Sequence, residues 1–560
     1  LCDRRQRQMC IRDSRSNNLY NEINMKNILS LISISSLLLV LAACGSKQAP
    51  TAEEIVAKAR AVKTLNAYDE MSCVVYEMKG LPESPQTSID RFISDDCVEG
   101  TGSFELKYSF SGNASGTESV YIQQSGGDYR SDLSFHPLGL SIWVKGNKNN
   151  KGTFRFMLIQ DVDQFTQDAL HEKDRWQFFE YVDKDVLTKE EWTRVVMPYE
   201  AFTFAKGRDL GENKLVLNRL EGYRLEITND DNSTCTGEFC IDNLEQLTSY
   251  TPEFKGTPKF SSVFIQLNGV YKETNWDEEF KASREVGIDT WIIQYAEGFN
   301  DRTNEKSSFY SPTNLPWVTK QYDIMNRMFD AAERNGMKLI AGLYPGDYSK
   351  EDTTKPEQYE FLMERNKQVF DELFALWGNH PSLAGWYITE EFHDGSYPVG
   401  WQQEPALSML ANYLQTVAAY VKSKSPKEVC IAPALWRGMP ADLCGKWFGK
   451  IFAQTPDIDV LYLQDIGGRC LVDFDVDLPN WFAEIKKACD ANGVIFGVDI
   501  ESFKECWCPR ITMRTKPWTE LEEQLRVAGM FTDHITNFSW ATFKPGTDTY
   551  EGYKKYLEGK

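Results

Sequence analysis

Histidine is scarce in this chain, with only five among 560 residues. This shortage argues against a catalytic metal centre built from several imidazole ligands. Basic residues are also outnumbered, because 61 lysines and arginines stand against 82 aspartates and glutamates. An acidic protein of this kind is unsuited to binding nucleic acid, so we expect no such partner. The C-terminal half also lacks a glycine-rich phosphate-binding turn after its first predicted strand, which argues against an open nucleotide-binding sheet.

Long hydrophobic runs are confined to one segment near the N-terminus. Residues 1–24 are polar, basic and aperiodic, and we expect them to be a translation artefact. Residues 25–43 read as a signal peptide, with an apolar run at 28–41 that ends Leu41-Ala42-Ala43-Cys44-Gly45. That ending resembles the lipobox of bacterial lipoproteins. The resemblance implies diacylation of Cys44 and a lipid anchor in the bacterial cell envelope, at the outer membrane. The alternative is an ordinary secretory signal followed by a free cysteine.

The remaining chain divides into two domains. Residues 44–70 are small and polar and suit a tether, and residues 71–250 form short alternating strands separated by turn residues, such as 103–110. This pattern predicts an antiparallel β-sandwich. The segments 140–146, 192–202 and 237–244 resemble the galactose-binding-like jelly roll of certain carbohydrate-binding modules. Such modules often hold a structural calcium ion, which the sequence does not place, and the sandwich is expected either to bind glycan or to support its neighbour.

After a proline-containing linker at 251–260, residues 261–560 alternate apolar strands with amphipathic helices. Eight strand–helix units predict a (β/α)₈ TIM barrel, the second domain of the fold. Glycines stand before three of the strands, at Gly287, Gly336 and Gly493, where helix C-termini favour them. The predicted strands are 263–267, 290–295, 338–344, 384–389, 429–434, 459–464, 494–500 and 534–540.

Cysteines allow several alternatives. Export permits disulfides, and Cys235 with Cys240 would close a small loop. Cys470, Cys506 and Cys508 follow strands of the barrel, where they would form a bridge or bind a metal ion. The one-residue spacing of the last two lacks the usual second pair of metal ligands, so we expect no metal and no cofactor.

Polar residues at the carboxyl ends of barrel strands form the site in this fold. Those ends carry acids, amides and aromatic rings, with almost no cations. Amides and acids hydrogen-bond hydroxyl groups, and aromatic rings stack on sugar rings. The predicted substrate-binding residues are Gln266, Asn268, Gln294, Tyr344, Trp436, Gln464, Asp465, Asp499 and Trp540. The acids Glu297 and Asp347 occupy comparable positions and are more weakly indicated.

Two apolar runs end in the strongest candidates, Glu391 and Glu501. Two carboxylates that face each other across one cleft are what glycosidic bond cleavage requires. Acids after strands four and seven resemble those of glycoside hydrolase clan A. More narrowly, residues 263–543 are similar to an uncharacterised bacterial family of glycosyl-hydrolase-like barrels, through Phe264 and Gln266, the run 385–391, and the run 499–503. The clan has asparagine where this chain has Glu390, so both Glu390 and Glu391 are candidates, with Glu391 at the clan position.

The resemblance implies a retaining hydrolase of oligosaccharide or polysaccharide. Glu501 would be the nucleophile and Glu391 the acid and base, with Glu390 and Glu501 helping to keep Glu391 protonated. One alternative is a glycan-binding lipoprotein without catalysis. Another is a metal-dependent hydrolase that uses Asp465, Asp499 and Glu501.

Overall fold

The computed structural model describes residues 50–69, 77–79, 87–112, 117–125, 130–161, 176–300, 305–345, 356–394, 404–436, 438–468, 472–506 and 512–559. Their N-terminal part is a β-sandwich of two six-stranded antiparallel sheets. One sheet has the order β3-β4-β12-β6-β9, with β1 also paired to β12, and the other has the order β10-β8-β7-β11-β5-β2. The strands are β1 (Ala61–Asn66), β2 (Glu77–Lys79), β3 (Ser88–Ser94), β4 (Ser103–Phe110), β5 (Glu118–Ser125), β6 (Pro137–Lys145), β7 (Thr153–Gln160), β8 (Gln177–Asp183), β9 (Thr193–Pro198), β10 (Thr203–Gly207), β11 (Leu220–Asn229) and β12 (Cys235–Thr248).

Alternation of side chains along each strand builds the sandwich core. In β4, Phe104, Leu106, Tyr108 and Phe110 are buried, while the residues between them face outward. Successive strand residues point to opposite faces, so one face of each sheet is apolar and the two apolar faces pack together. The predicted antiparallel sandwich is therefore present.

The sandwich begins earlier than position 71. Helix α1 (Ala52–Lys58) and strand β1 lie in the segment that we expected to be a tether. Ile55 of α1 is 1% exposed and packs with Val196 and Leu247, and β1 extends the sheet beside β12. Burial of that apolar side chain and the added ladder hydrogen bonds hold residues 52–66 in the domain.

The C-terminal part is a closed parallel barrel with the strand order β13-β14-β18-β19-β20-β21-β22-β25. Its strands are β13 (Ser262–Ile265), β14 (Thr290–Ile293), β18 (Lys338–Gly342), β19 (Leu383–Ile388), β20 (Glu428–Ile431), β21 (Val460–Gln464), β22 (Ile495–Glu501) and β25 (Ile535–Phe538). The surrounding helices are α2 (Trp276–Glu285), α3 (Ile324–Asn335), α4 (Pro356–Trp377), α5 (Ala406–Lys424), α6 (Ala441–Phe452), α7 (Asp477–Asn492), α8 (Trp518–Ala528) and α9 (Asp548–Leu557). All eight predicted strands are found, with ends that differ by a few residues.

Two apolar cores explain why the barrel strands read as unbroken hydrophobic runs. Residues that face outward pack against the helices, and those that face inward, including Phe264, Tyr387 and Tyr462, fill the barrel interior. A strand buried on both faces has no polar side to alternate with. Gly336 and Gly493 end α3 and α7 in the left-handed conformation, with φ of 65° and 72°, as the sequence predicted.

Small sheets that the sequence did not predict follow two of the barrel strands. Strands β15 (Glu297–Asn300), β16 (Glu305–Ser308) and β17 (Lys320–Gln321) follow β14, and the hairpin of β23 (Phe503–Cys506) and β24 (Thr512–Thr515) follows β22. Both additions stand at the carboxyl ends of barrel strands, where loops form the site in this fold.

The sandwich packs against the first residues of two barrel helices. The Ala441 backbone N–H of α6 donates to Asp132 Oδ2 at 3.0 Å, and Asp442 accepts from Asn218 and Arg219. The buried Lys63 pairs with Asp477, the first residue of α7. Because the helices of this fold begin at the carboxyl ends of the strands, the sandwich lies beside that end of the barrel.

Strand β12 separates the two cysteines for which the sequence allowed a disulfide. Cys235 and Cys240 lie five residues apart on one extended strand, so they face opposite sides of the sheet. Their separation is about 16 Å at the usual rise per residue, far beyond the reach of a disulfide. Both are free thiols in the structure, and the proposed loop closure is excluded.

Among the described residues, no helix has both the length and the apolar character needed to cross a bilayer.

Candidate active site

Strand β22 carries Asp499 and Glu501 to the carboxyl end of the barrel. The two residues are 1% and 6% exposed and are separated by one position, so both point to the inner face of the strand. Val498 and Ile500, which alternate with them, pack into the outer core. The alternation of acid and apolar residue in this run thus places two carboxyl groups inside the barrel mouth.

Backbone donors hold Glu501 in place. The Gly468 N–H donates to Glu501 Oε2 at 2.8 Å, and the Glu501 N–H donates to Asp465 Oδ1 at 3.3 Å. Gly468 is required here, because a Cβ at that position would lie 2.3 Å from the Phe503 carbonyl oxygen and 3.0 Å from Glu501 Oε2. The absence of a side chain therefore allows the backbone to approach the carboxylate closely.

A buried lysine and glutamine complete this cluster, and the sequence analysis missed both. Lys516 and Gln524 are each 0% exposed. The Lys516 Nζ donates to Gln524 Oε1, and Gln524 Nε2 donates to Asp465 Oδ2. Lys516 follows a hairpin and precedes a proline, and Gln524 lies within α8, so no local pattern marks either residue as part of a site.

The carboxyl groups of the cluster resist ionisation. Burial raises the pKa of Glu501 to about 8, the charge of Asp465 adds to this, and the Gly468 hydrogen bond and Lys516 oppose it. Burial is also the main cause that raises the pKa of Asp499 well above its ordinary value, and the charges of Glu501 and Asp465 raise it further. Asp499 Oδ1 is a buried atom without a hydrogen-bond partner among the described residues. The protonated form of Asp499 is therefore favoured, because an unpaired buried charge is costly.

The charge of Glu391, which stands three residues beyond strand β19, acts on this cluster. Burial is the main cause that raises the pKa values of Tyr387, Asp499 and Glu501, and the charge of Glu391 adds to it in all three. Of these three groups, only Tyr387 has a pKa that the charge of Glu390 also raises, and that effect is smaller than the effect of Glu391. Glu390 is 4% exposed, whereas Glu391 is only partly buried. These charge effects are larger for Glu391 than for Glu390, and the pairing of Glu391 with Glu501 stays a prediction.

Tyr295 is a further residue at this end that the sequence analysis did not select. It follows strand β14, beside the predicted Gln294, and burial and the charge of Glu391 raise the pKa of its phenol. Gln294 Oε1 is buried and has no hydrogen-bond partner among the described residues. Gln266, at the end of β13, is partly buried. These three side chains follow neighbouring strands on the side of the barrel mouth nearest β13 and β14.

Other predicted binding residues have structural contacts. Asn268 caps a 3₁₀ helix, since its Oδ1 accepts from the Val270 N–H at 2.9 Å. Gln464 is 9% exposed and donates to the Ala432 carbonyl oxygen at 2.6 Å. Tyr344 is 7% exposed and packs edge-on against Trp317, at 6.3 Å between ring centroids. Whether any of them also contacts a substrate stays a prediction.

The two predicted tryptophans differ in position. Trp436 is partly buried beside His393, and its backbone N–H donates to Asp394 Oδ1 at 2.6 Å. Asp394, which the sequence analysis missed, fixes the loop after β20 in this way, and burial raises its pKa to about 6.

Trp540 instead belongs to the outer core of the barrel. It is 2% exposed, packs 4.9 Å from the Trp291 ring and donates its indole N–H to Glu279 of α2 at 2.6 Å. These contacts give it a packing role, and no described face of its ring is open to a sugar.

Glu297 is a further buried acid at this end of the barrel. It is 4% exposed, accepts from the Trp317 indole N–H at 2.8 Å, and has a pKa that burial raises to about 7. The guanidinium of Arg365 lies 3.4 Å from the Trp317 ring centroid. Arg365 therefore covers the aromatic ring that holds Glu297, which indicates a structural arrangement.

Hydrogen-bond donors are directed at two acids of the cluster, Asp465 and Glu501. Asp465 accepts from the backbone N–H groups of Gly467 and Glu501 and from Gln524. Within the described ranges, no three His, Cys, Asp or Glu residues are grouped as metal ligands. The N–H donors directed at Asp465 and Glu501 fit an anion-stabilising role, and the metal-dependent alternative for Asp465, Asp499 and Glu501 stays a prediction. Cys44, Asp347, Cys470 and Cys508 lie outside the described residues.

The sandwich has a groove of about 530 Å³ on its outer face. Its lining is polar, with Asp90, Lys107 and Glu238 among the side chains. Its one ring, Tyr108, is 3% exposed, covered by Gly237 and hydrogen-bonded to the Lys151 carbonyl oxygen at 2.6 Å. Among its lining residues the groove thus offers no exposed aromatic platform, and whether the sandwich binds glycan or supports the barrel stays a prediction.

Comparison with known proteins places the barrel in a family. Residues 263–548, just over half of the chain, match the model described as a domain of unknown function, DUF4434. The chain belongs to the DUF4434 family. No curated protein sequence matches it. The matched residues run from strand β13 to the first residue of helix α9.

Solved structures show distant likeness to each domain. A Bacteroides thetaiotaomicron protein provisionally assigned as an alpha-L-fucosidase is 21% identical, covering 55% of this chain and 96% of its own, with a TM-score of 0.42. A family 1 β-glucosidase from Thermotoga maritima is 10% identical, covering 55% and 99%, with a TM-score of 0.35. The family 11 carbohydrate-binding module of a Clostridium thermocellum cellulase is 15% identical, covering 34% and 96%, with a TM-score of 0.25. Such low values do not transfer the activities of those proteins to this chain.

Proposed function

We propose that this DUF4434 protein is a glycoside hydrolase that cleaves oligosaccharide or polysaccharide with Glu391 and Glu501. The observation that carries the proposal is the closed parallel barrel, in which Glu501 ends strand β22 and Glu391 stands three residues beyond strand β19. Burial is the main cause that raises the pKa of Glu501, and the charge of Glu391 adds to it. Two acids from different strands at one barrel mouth match the requirement for glycosidic cleavage.

The environments of the two acids suit different roles. Glu501 is buried and held by the Gly468 N–H, as a nucleophile must be held against the anomeric carbon. Glu391 is partly buried, which gives a leaving-group oxygen and a water molecule access to it. Retention of configuration follows if the carboxyl groups stand roughly 5–5.5 Å apart on either side of the sugar.

The pKa of Glu501 sets the pH at which a nucleophile is available. Burial raises that pKa to about 8, so the ionised fraction increases up to and beyond neutral pH. We therefore expect kcat/KM to rise with pH through the neutral range. A fall in kcat/KM across that range would indicate that Glu391 is the nucleophile and Glu501 the acid and base.

A screen of the purified protein against a panel of oligosaccharides tests the proposal, with the product anomer followed by NMR. Glu501→Gln should remove turnover while keeping binding, and Glu391→Gln should lower kcat/KM by about 10²–10⁴-fold on substrates with poor leaving groups. Glu390→Gln is the matched control at the neighbouring position and should retain most activity. Binding without turnover in the parent protein would favour the glycan-binding alternative, and an inverted anomer would exclude the retaining mechanism.

Lipid attachment is a separate proposal. The sequence Leu41-Ala42-Ala43-Cys44 supports acylation of Cys44 and anchoring to the cell envelope, at the outer membrane. Mass spectrometry of the N-terminal peptide from membrane fractions would detect the acyl chains. Cys44→Ser should release the protein from membranes, and an unmodified, membrane-free parent protein would contradict the anchor.

A further inference from the structure

A lysine without solvent exposure stands behind the proposed nucleophile. Lys516 lies between strand β24 and helix α8, and its backbone N–H donates to the Ser502 carbonyl oxygen at 3.0 Å. Because Ser502 directly follows Glu501, this main-chain hydrogen bond fixes Lys516 beside the end of β22. Burying an ammonium group is costly unless anionic partners compensate it, so its presence here needs a reason.

Hydrogen bonds connect this lysine to the nucleophile. Lys516 Nζ donates to Gln524 Oε1, and the amide of Gln524 donates to Asp465 Oδ2. Asp465 Oδ1 then accepts from the Glu501 backbone N–H at 3.3 Å. The lysine therefore acts on Asp465 through one amide, and Asp465 holds the backbone that carries Glu501.

We propose that Lys516 is a positioning residue that, through Gln524 and Asp465, orients the Glu501 carboxyl group for attack and favours its ionised form. The inference rests on the proposed function, because it assigns Lys516 a task in that same site. Without a cation, two buried carboxylates so close together would share a proton, and the shared proton would block the nucleophile.

The charge environment agrees with this role. Burial lowers the pKa of Lys516, and the charges of Asp465 and Glu501 oppose that effect. The charge of Lys516 in turn lowers the pKa of Glu501 against burial and Asp465. The charged or titratable groups that act on the cluster from the surrounding elements are Glu391, Asp465, Asp499, Glu501, Lys504, Lys516 and Glu520.

The test replaces Lys516 and follows ionisation as well as activity. Lys516→Met should move the ascending limb of the kcat/KM profile to higher pH by roughly one to three units, because the compensating charge is gone. Lys516→Arg keeps the charge and should restore most of the wild-type profile. Gln524→Met cuts the hydrogen-bond link but keeps both charges, so kcat should fall with a smaller shift of the limb.

An infrared titration of the carboxyl groups makes the result independent of turnover. The band of protonated Glu501 is identified by its loss in Glu501→Gln, and Lys516→Met should keep that band to higher pH. If no glycan is cleaved, the proposed function fails while this titration still decides the role of Lys516. If Lys516→Met does not fold, Lys516→Arg and Gln524→Met carry the same comparison.

Lys63→Met is the matched control, since Lys63 is also a buried lysine paired with an aspartate, at the sandwich–barrel contact. It should leave the pH profile and the Glu501 band unchanged. An unchanged profile and band in Lys516→Met, or loss of stability alone, would overturn the proposal.

Discussion

Replacing Glu501 with glutamine should stabilise the protein at neutral and alkaline pH. Burial raises the pKa of this carboxyl from 4.5 to about 8. Between those two values the folded state binds more protons than the unfolded state, so stability falls as the pH rises. Glutamine cannot ionise, and its amide oxygen can still accept from the Gly468 N–H, so Glu501→Gln avoids that loss.

The size of the effect follows from the same values. A pKa difference is worth about 1.4 kcal/mol per pH unit, so the rise from 4.5 to about 8 corresponds to about 5 kcal/mol in full. The advantage of Glu501→Gln over the wild type should be near zero at pH 4.5, grow through the neutral range and level off above about pH 8. Site acids often reduce stability in exchange for function.

Urea unfolding at a series of pH values measures this difference, with the barrel transition followed by tryptophan fluorescence. Glu285→Gln serves as the control, because Glu285 forms an exposed ion pair with Lys554 and such pairs contribute little. A stability difference that does not change with pH, or a variant less stable than the wild type at pH 8, would refute the reasoning.

Three further predictions concern other buried acids. Burial raises the pKa of Glu297 to about 7. The stability of Glu297→Gln relative to the wild type should therefore increase from pH 4.5 to about 7 and stay constant above that. The pKa of Glu118 is shifted in the opposite direction. Burial alone would raise it, but hydrogen bonds from Ser111 and other donors lower it to about 2. Glu118→Gln should therefore cost up to about 3 kcal/mol above pH 4.5, and the cost should vanish as the pH falls towards 2. Asp132→Ala should cost about 1–3 kcal/mol in unfolding experiments, because it leaves the buried Ala441 N–H without its acceptor. A Glu297 or Glu118 variant with a pH-independent difference, or an Asp132→Ala protein as stable as the wild type, would contradict the corresponding expectation.

The sequence by itself determined the two-domain order, the eight barrel strands and the two strand-end acids. Strands buried on both faces must be apolar throughout, so each one was visible as a short hydrophobic run. Glu391 and Glu501 could be selected because each ends such a run, and parallel barrel strands bring their carboxyl ends to one face. Alternation along β22 then places Asp499 and Glu501 on the same side, which a local pattern is enough to predict.

The tertiary structure decided what no local pattern records. Lys516 and Gln524 reach Asp465 from segments that are distant in sequence, so their contacts depend on how the hairpin and α8 pack. Trp540 lies at a strand end, as a binding residue would, yet its ring packs among the outer helices. A sequence specifies where a strand ends, but the direction of a side chain beyond that end, and the charges that surround it, are set by long-range packing.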